Sequence, residues 1–175
     1  MRWVYFICLV LVGAVVQTSL VPVLWFRTPA GWVGPEILAA VAVFVGLYAP
    51  TATDAALAGW ALGLAVDLTL SGSGMGLLAL LYAAGAAGVF AVREAFFRDR
   101  VVTRMLLGAL FCVFVYEIWI AYDVLIAGAG GGLGRPALLA LALAAYTAVL
   151  TPLVCSGLRK VERFLLAVRP ERQRR

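Results

Sequence analysis

From Trp3 to Trp25 the chain carries no charged side chain, and long apolar runs return along nearly its whole length. Uninterrupted apolar runs constrain the fold more than any other feature. A strand of a membrane barrel alternates polar and apolar residues, and a soluble helix keeps a polar face. Neither pattern is present. Hydrophobic residues make up 65% of the 175-residue chain and charged residues 13%, where soluble domains are nearer half and a quarter. The solvent for this surface is lipid, and helices satisfy their own backbone there.

Turn residues divide the chain into six predicted helices. The first spans Trp3 to Trp25, with Gln17 as a possible polar contact, and Arg27 to Gly34 reads as a loop. It is too long for a signal-peptide core, and no small-residue cleavage site follows. Pro35 suits a first helical turn, so the second helix runs from there to about Ala49. The third begins after a cap at Thr51, Thr53 or Asp54 and ends near Leu70. Helices two and three are short for a bilayer core of about 30 Å, and a partly re-entrant pair is the alternative. The fourth runs from Leu77 to about Phe97, the fifth from Val101 to Ala127, and the sixth from Pro136 to near Leu158. Residues 1–158 thus form an all-α transmembrane domain. Residues 159–175 form a basic tail, in which Leu158, Val161, Leu165 and Val168 give an amphipathic surface helix.

Orientation follows from the cations. With six spans, only Arg27 and Arg135 of the 14 Lys and Arg fall on one side. The other side holds the rest and is expected to be cytoplasmic, with both termini. The clustered cations at the membrane surface suit anionic lipid rather than nucleic acid.

Few residues offer chemistry. The chain has no His, so a Ser, Thr or Cys nucleophile lacks its usual base. Cys8, Cys112 and Cys155 lie singly inside apolar runs and read as buried thiols. There is no phosphate-binding loop or dinucleotide fingerprint. Asp67 closes the row Ala55, Gly59, Gly63, Asp67. Gly59 and Gly63 permit close helix approach, inside the chain or in a partner's docking groove. Asp67 is either an ion or substrate site or an acid that caps the glycine turn through backbone N–H groups. Glu117, mid-helix beside Tyr116, is expected either to make a buried hydrogen bond or to face a cavity. Glu36 and Asp123 are expected at the outer surface, paired with Arg27 and Arg135. Pro152 should kink the sixth helix, with Thr151 or Ser156 serving freed backbone groups. Trp3, Trp25, Trp32, Tyr5 and Tyr48 suit an interfacial aromatic belt.

In order, several short landmarks resemble the MreD family of rod-shape membrane proteins. They are Gln17-Thr18-Ser19-Leu20-Val21-Pro22, Pro35-Glu36, and Gly63-Leu64-Ala65-Val66-Asp67-Leu68 with Ser71-Gly72 and Gly76 before Ala79-Leu80. Phe97-Arg98-Asp99, Tyr116-Glu117, Thr151-Pro152-Leu153 and Leu158-Arg159-Lys160-Val161-Glu162 follow. The resemblance implies a non-enzymatic scaffold in lateral wall synthesis at the bacterial cytoplasmic (inner) membrane, without a cofactor. Its implied partners are MreC first, then MreB, RodA and the elongation transpeptidase. It also implies a fold like the substrate-binding subunits of energy-coupling vitamin transporters. A vitamin-binding subunit of such a transporter is therefore the alternative function. The residues offered for structural or partner contact are Gly59, Gly63, Asp67, Ser71, Gly72, Gly76, Glu117 and Pro152. Arg159, Lys160 and Arg163 are offered to the lipid surface.

Overall fold

The computed structural model describes residues 3–19, 21–28, 31–69, 76–93, 100–126 and 134–165. Six α-helices dominate: α1 (Trp3–Ser19), α2 (Ile37–Tyr48), α3 (Ala52–Thr69), α4 (Leu77–Val92), α5 (Val101–Leu125) and α6 (Gly134–Leu165). Two of them, α5 and α6, are long and apolar enough to cross a membrane, over Val101–Leu125 and Pro136–Lys160.

Several boundaries differ from the sequence expectation. The first helix stops at Ser19 and is followed by a 3-10 turn, Val21–Leu24. The expected loop after Arg27 is an antiparallel hairpin instead, β1 (Phe26–Thr28) and β2 (Gly31–Val33), with Phe26 opposite Val33. Trp32 and Val33 alternate outward and inward, exposed and buried, as a half-buried strand requires. The sixth helix does not end at Leu158 but continues to Leu165, so the start of the expected tail helix is the end of α6. No turn residue separates Leu158 from Val161, and an apolar row at helical spacing simply extends the helix. The expected continuation of the fourth helix past Arg93 lies outside the described residues.

The core is built around α2. Ten of its 12 residues, Leu38 through Leu47, are buried. At about 1.5 Å per residue it is roughly 18 Å long, shorter than a bilayer core, but the other helices surround it and few of its side chains meet solvent or lipid. α3 packs closely along α4, and α5 along α6. The outer helices carry large exposed apolar side chains, among them Leu11, Val15, Leu110, Leu141 and Leu153. Apolar surface on that scale suits lipid rather than water.

Candidate functional site

Side chains from three helices converge on the start of α2. Gln17 of α1 accepts from the Ile37 amide at 2.9 Å and donates to the Pro35 carbonyl at 3.4 Å. Thr147 of α6 accepts from the Glu36 amide at 3.0 Å, and Tyr116 of α5 donates to Glu36 Oε2 at 2.8 Å. The first turn of a helix leaves N–H groups unpaired and favours a negative charge. Gln17 and Thr147 take two of those donors, and Glu36 supplies the acid.

Glu36 is therefore not the surface partner of Arg27 or Arg135. It is buried, 7% exposed, and bonded to a tyrosine. Glu117, expected deep in the helix, is half-exposed, and its side chain makes no hydrogen bond among the described residues. The two acids exchange roles because Tyr116 and Glu117 are adjacent on α5, about 100° apart around its axis. The face that carries Val115 and Tyr116 turns inward. The one sequence signal for Glu36 was its place beside Pro35 at a helix start.

Asp67 sits at the end of α3 beside the start of α4. Its Oδ2 accepts from the amides of Gly76 (3.0 Å) and Ala79 (3.1 Å), so a side chain of one helix caps the next. Gly76 has φ +96°, in the left-handed region where glycine alone is unstrained. Ser71 and Gly72 lie outside the described residues. At the opposite end of α3, Thr51 accepts from the Asp54 amide at 3.1 Å and caps the helix.

Gly59 and Gly63 face α4 within the chain. A β-carbon at Gly59 would lie 2.6 Å from the Tyr82 carbonyl oxygen, and one at Gly63 would lie 2.6 Å from that of Leu78. Their row is consumed internally and is not a free docking groove. The small residues of α6 behave alike, since Ala140, Ala144 and Ala148 are all buried. On α4 the situation reverses. Ala84 and Gly88 are exposed, and nothing lies within 4 Å of a β-carbon built at Gly88. They line an apolar groove of about 260 Å³ between α4 and α5, with Leu107, Leu110, Phe111 and Phe114 on its other wall.

The α2 C-terminus collects cations. Arg159 donates to the Tyr48 hydroxyl through Nε (3.0 Å) and Nη2 (2.6 Å), and Arg104 approaches the same oxygen at 3.3 Å. Arg93 donates to the Ala49 carbonyl at 2.6 Å. Cations at a helix C-terminus are favourable, and this end also lies near Lys160, which is exposed. The Arg163 side chain lies outside the described set. Arg104, 5% exposed, was not expected to enter the core. Tyr48, expected in an aromatic belt, anchors these two guanidiniums.

α6 runs unbroken through Pro152. Pro152 leaves the Ala148 carbonyl without its helical N–H, yet the Thr151 hydroxyl bonds the Thr147 carbonyl and Ser156 that of Leu153. Neither serves the freed group. Of the cysteines, Cys112 and Cys155 are buried as expected, whereas Cys8 is exposed.

Beside the hairpin, Trp32, Tyr116, Trp119, Pro136, Leu139 and Leu143 help line a second cavity of about 230 Å³. It is aromatic but apolar, since the Tyr116 hydroxyl is already given to Glu36. Small-molecule pockets usually run from about 300 Å³ upward and carry several placed polar groups, so this cavity does not favour a vitamin site. Among the described residues no cluster of three His, Cys, Asp or Glu could hold a metal.

A family model described as rod shape-determining protein MreD matches residues 1–161. Searches of curated proteins and of solved structures found no match.

Proposed function

The chain belongs to the MreD family of rod shape-determining membrane proteins, and we propose that it is a non-enzymatic scaffold subunit of the lateral wall synthesis complex that docks the single membrane helix of MreC. The observation that carries this is the α4–α5 groove. It is apolar, open and floored by Ala84 and Gly88, the small-residue spacing that lets helices approach closely in lipid. The rows Gly59–Gly63 and Ala140–Ala144–Ala148 are already filled by the chain's own helices. With nearly all of the described residues in helices, lateral surface is what remains for function.

In this reading all six helices enter or cross the cytoplasmic membrane, and α2 is tolerated at its length because its neighbours shield it from lipid. Both termini are cytoplasmic. The gathering of Arg93, Arg104 and Arg159 at one end of the bundle, with Arg27 in the hairpin at the other, agrees with that orientation. Arg159, Lys160, Arg163 and the rest of segment 159–175 then meet anionic headgroups. MreB, RodA and the elongation transpeptidase join through the wider complex.

The test is Gly88→Ile. Because its side chain enters open space in the isolated chain, folded yield should be unchanged while co-purification with MreC in mild detergent drops at least several-fold. Undiminished co-purification at normal yield would refute this docking face.

A further inference from the structure

Trp25 and Trp32, at the start and in the second strand of the hairpin, are 50% and 63% exposed. Amphipathic rings of this kind settle at the headgroup level of a bilayer, and the hairpin belongs there with them. Arg27 pairs directly with Trp32 across it. Directly opposed residues share one face of an antiparallel pair, with their β-carbons about 4.5–5.5 Å apart. The Arg27 side chain is exposed and makes no hydrogen bond or ion pair among the described residues. A second cation, Arg135, immediately precedes Pro136 in the chain.

Trp32 is also one wall of the aromatic cavity of about 230 Å³, with Trp119 and Ile120 of α5 and Pro136, Leu139 and Leu143 of α6 among the others. From Pro136 to Leu143 is about two turns of α6, or roughly 10 Å. That volume spread over that length is a slot wide enough for one hydrocarbon chain. A helix, about 10–12 Å across with its side chains, does not enter it. A polar solute finds little to bond, because the Tyr116 hydroxyl is held by Glu36. Apolar cavities stay dry and take apolar guests, and an unfilled one forfeits the dispersion contacts of its lining. An arginine beside the rim adds the complementary charge, since its planar fork matches a phosphate.

We propose that this groove holds one chain of a phosphate-bearing membrane lipid, with the phosphate against Arg27. The chain lies between α5 and α6, and the headgroup stays at the level of the two tryptophans. The guanidinium tether distinguishes this lipid from those that merely cover the outer helices, because it makes the site saturable.

Photolabelling of the full chain in detergent micelles tests this, with phosphatidylglycerol carrying a diazirine in one acyl chain. Adducts at Trp119, Leu139 and Leu143 should saturate as the lipid is raised. Adducts at Leu153, 64% exposed on the outside of α6, should rise in proportion to it. Arg27 is exposed, so Arg27→Gln should fold normally and raise the half-saturating concentration at least several-fold. Diacylglycerol with the same diazirine lacks the phosphate and should label the groove equally in both proteins. Groove labelling that climbs without saturating, as at Leu153, overturns the proposal and leaves the groove to ordinary surrounding lipid. No groove labelling at all leaves it to an apolar protein segment and overturns the proposal equally. So does a half-saturation unmoved by Arg27→Gln, or one moved as much for diacylglycerol as for phosphatidylglycerol.

Discussion

Substituting Gly63 and Gly88 by alanine should change stability in opposite directions, although both are helical glycines in a lipid-embedded chain. At Gly63 the new methyl would lie 2.6 Å from the Leu78 carbonyl oxygen, 2.7 Å from Ala79 Cα and 2.7 Å from Tyr82 Cβ. Two of those three atoms are backbone, so no rotamer change relieves the overlap and α3 must move off α4. Overpacking of this kind costs about 1–3 kcal/mol, and here the upper part of that range applies. Alanine returns close to 1 kcal/mol through its better helix propensity. The net loss is then about 1–2 kcal/mol. For a chain of this size that is a fall in Tm of roughly 3–6 °C. At Gly88 there is nothing to strike, and the propensity gain stands alone, a rise of about 2–4 °C. Thermal unfolding in one detergent, followed by loss of the monodisperse chromatographic peak, reads both. Gly63→Ala at or above the unmodified Tm would show that α3 and α4 do not pack through this row.

Asp67→Leu deletes the cap on α4 and should cost about 1–2 kcal/mol, while Asp67→Asn keeps an acceptor and should lose less. Equal loss of complementation at normal folded yield for both variants would point instead to an ion site. Tyr116→Phe leaves the Glu36 carboxyl without the bond at 2.8 Å and should lower stability by about 1–3 kcal/mol, seen as a lower Tm without loss of helical circular dichroism. A single cysteine at Gln173 on a cysteine-free background should label only after the membrane is permeabilised, and labelling from outside intact cells would reverse the proposed topology.

The helical architecture was legible because apolar runs and their Gly and Pro boundaries are local signals. Asp67 was legible for the same reason, as an acid one turn before a glycine-rich turn has few places to go, and it is found on the Gly76 and Ala79 amides. What sequence could not settle was direction around a helix axis. Helices that are apolar all round carry no strong amphipathic phase, so nothing local told Tyr116 from Glu117 or set Gly59 and Gly63 inward and Gly88 outward. Long-range pairs were hidden likewise. Glu36 meets Tyr116 across 80 residues and Tyr48 meets Arg159 across 111, and neither pairing leaves a periodic trace. The hairpin was missed because three-residue strands are shorter than any useful alternation. The joined sixth helix was missed because a change from apolar to basic residues marks a change of solvent, not a break in the backbone.

The central claim, that a partner helix lies in the α4–α5 groove, is tested most directly by photo-crosslinking in living cells. A photoreactive residue would be placed at Gly88 and, separately, at Leu110 on the facing wall of the groove. Control positions are Leu11 and Val15, exposed on α1. An adduct with MreC is expected from Gly88 and from Leu110, and little from Leu11 or Val15. Adducts from α1 alone, or none from the groove while both proteins are present at normal levels, would contradict it.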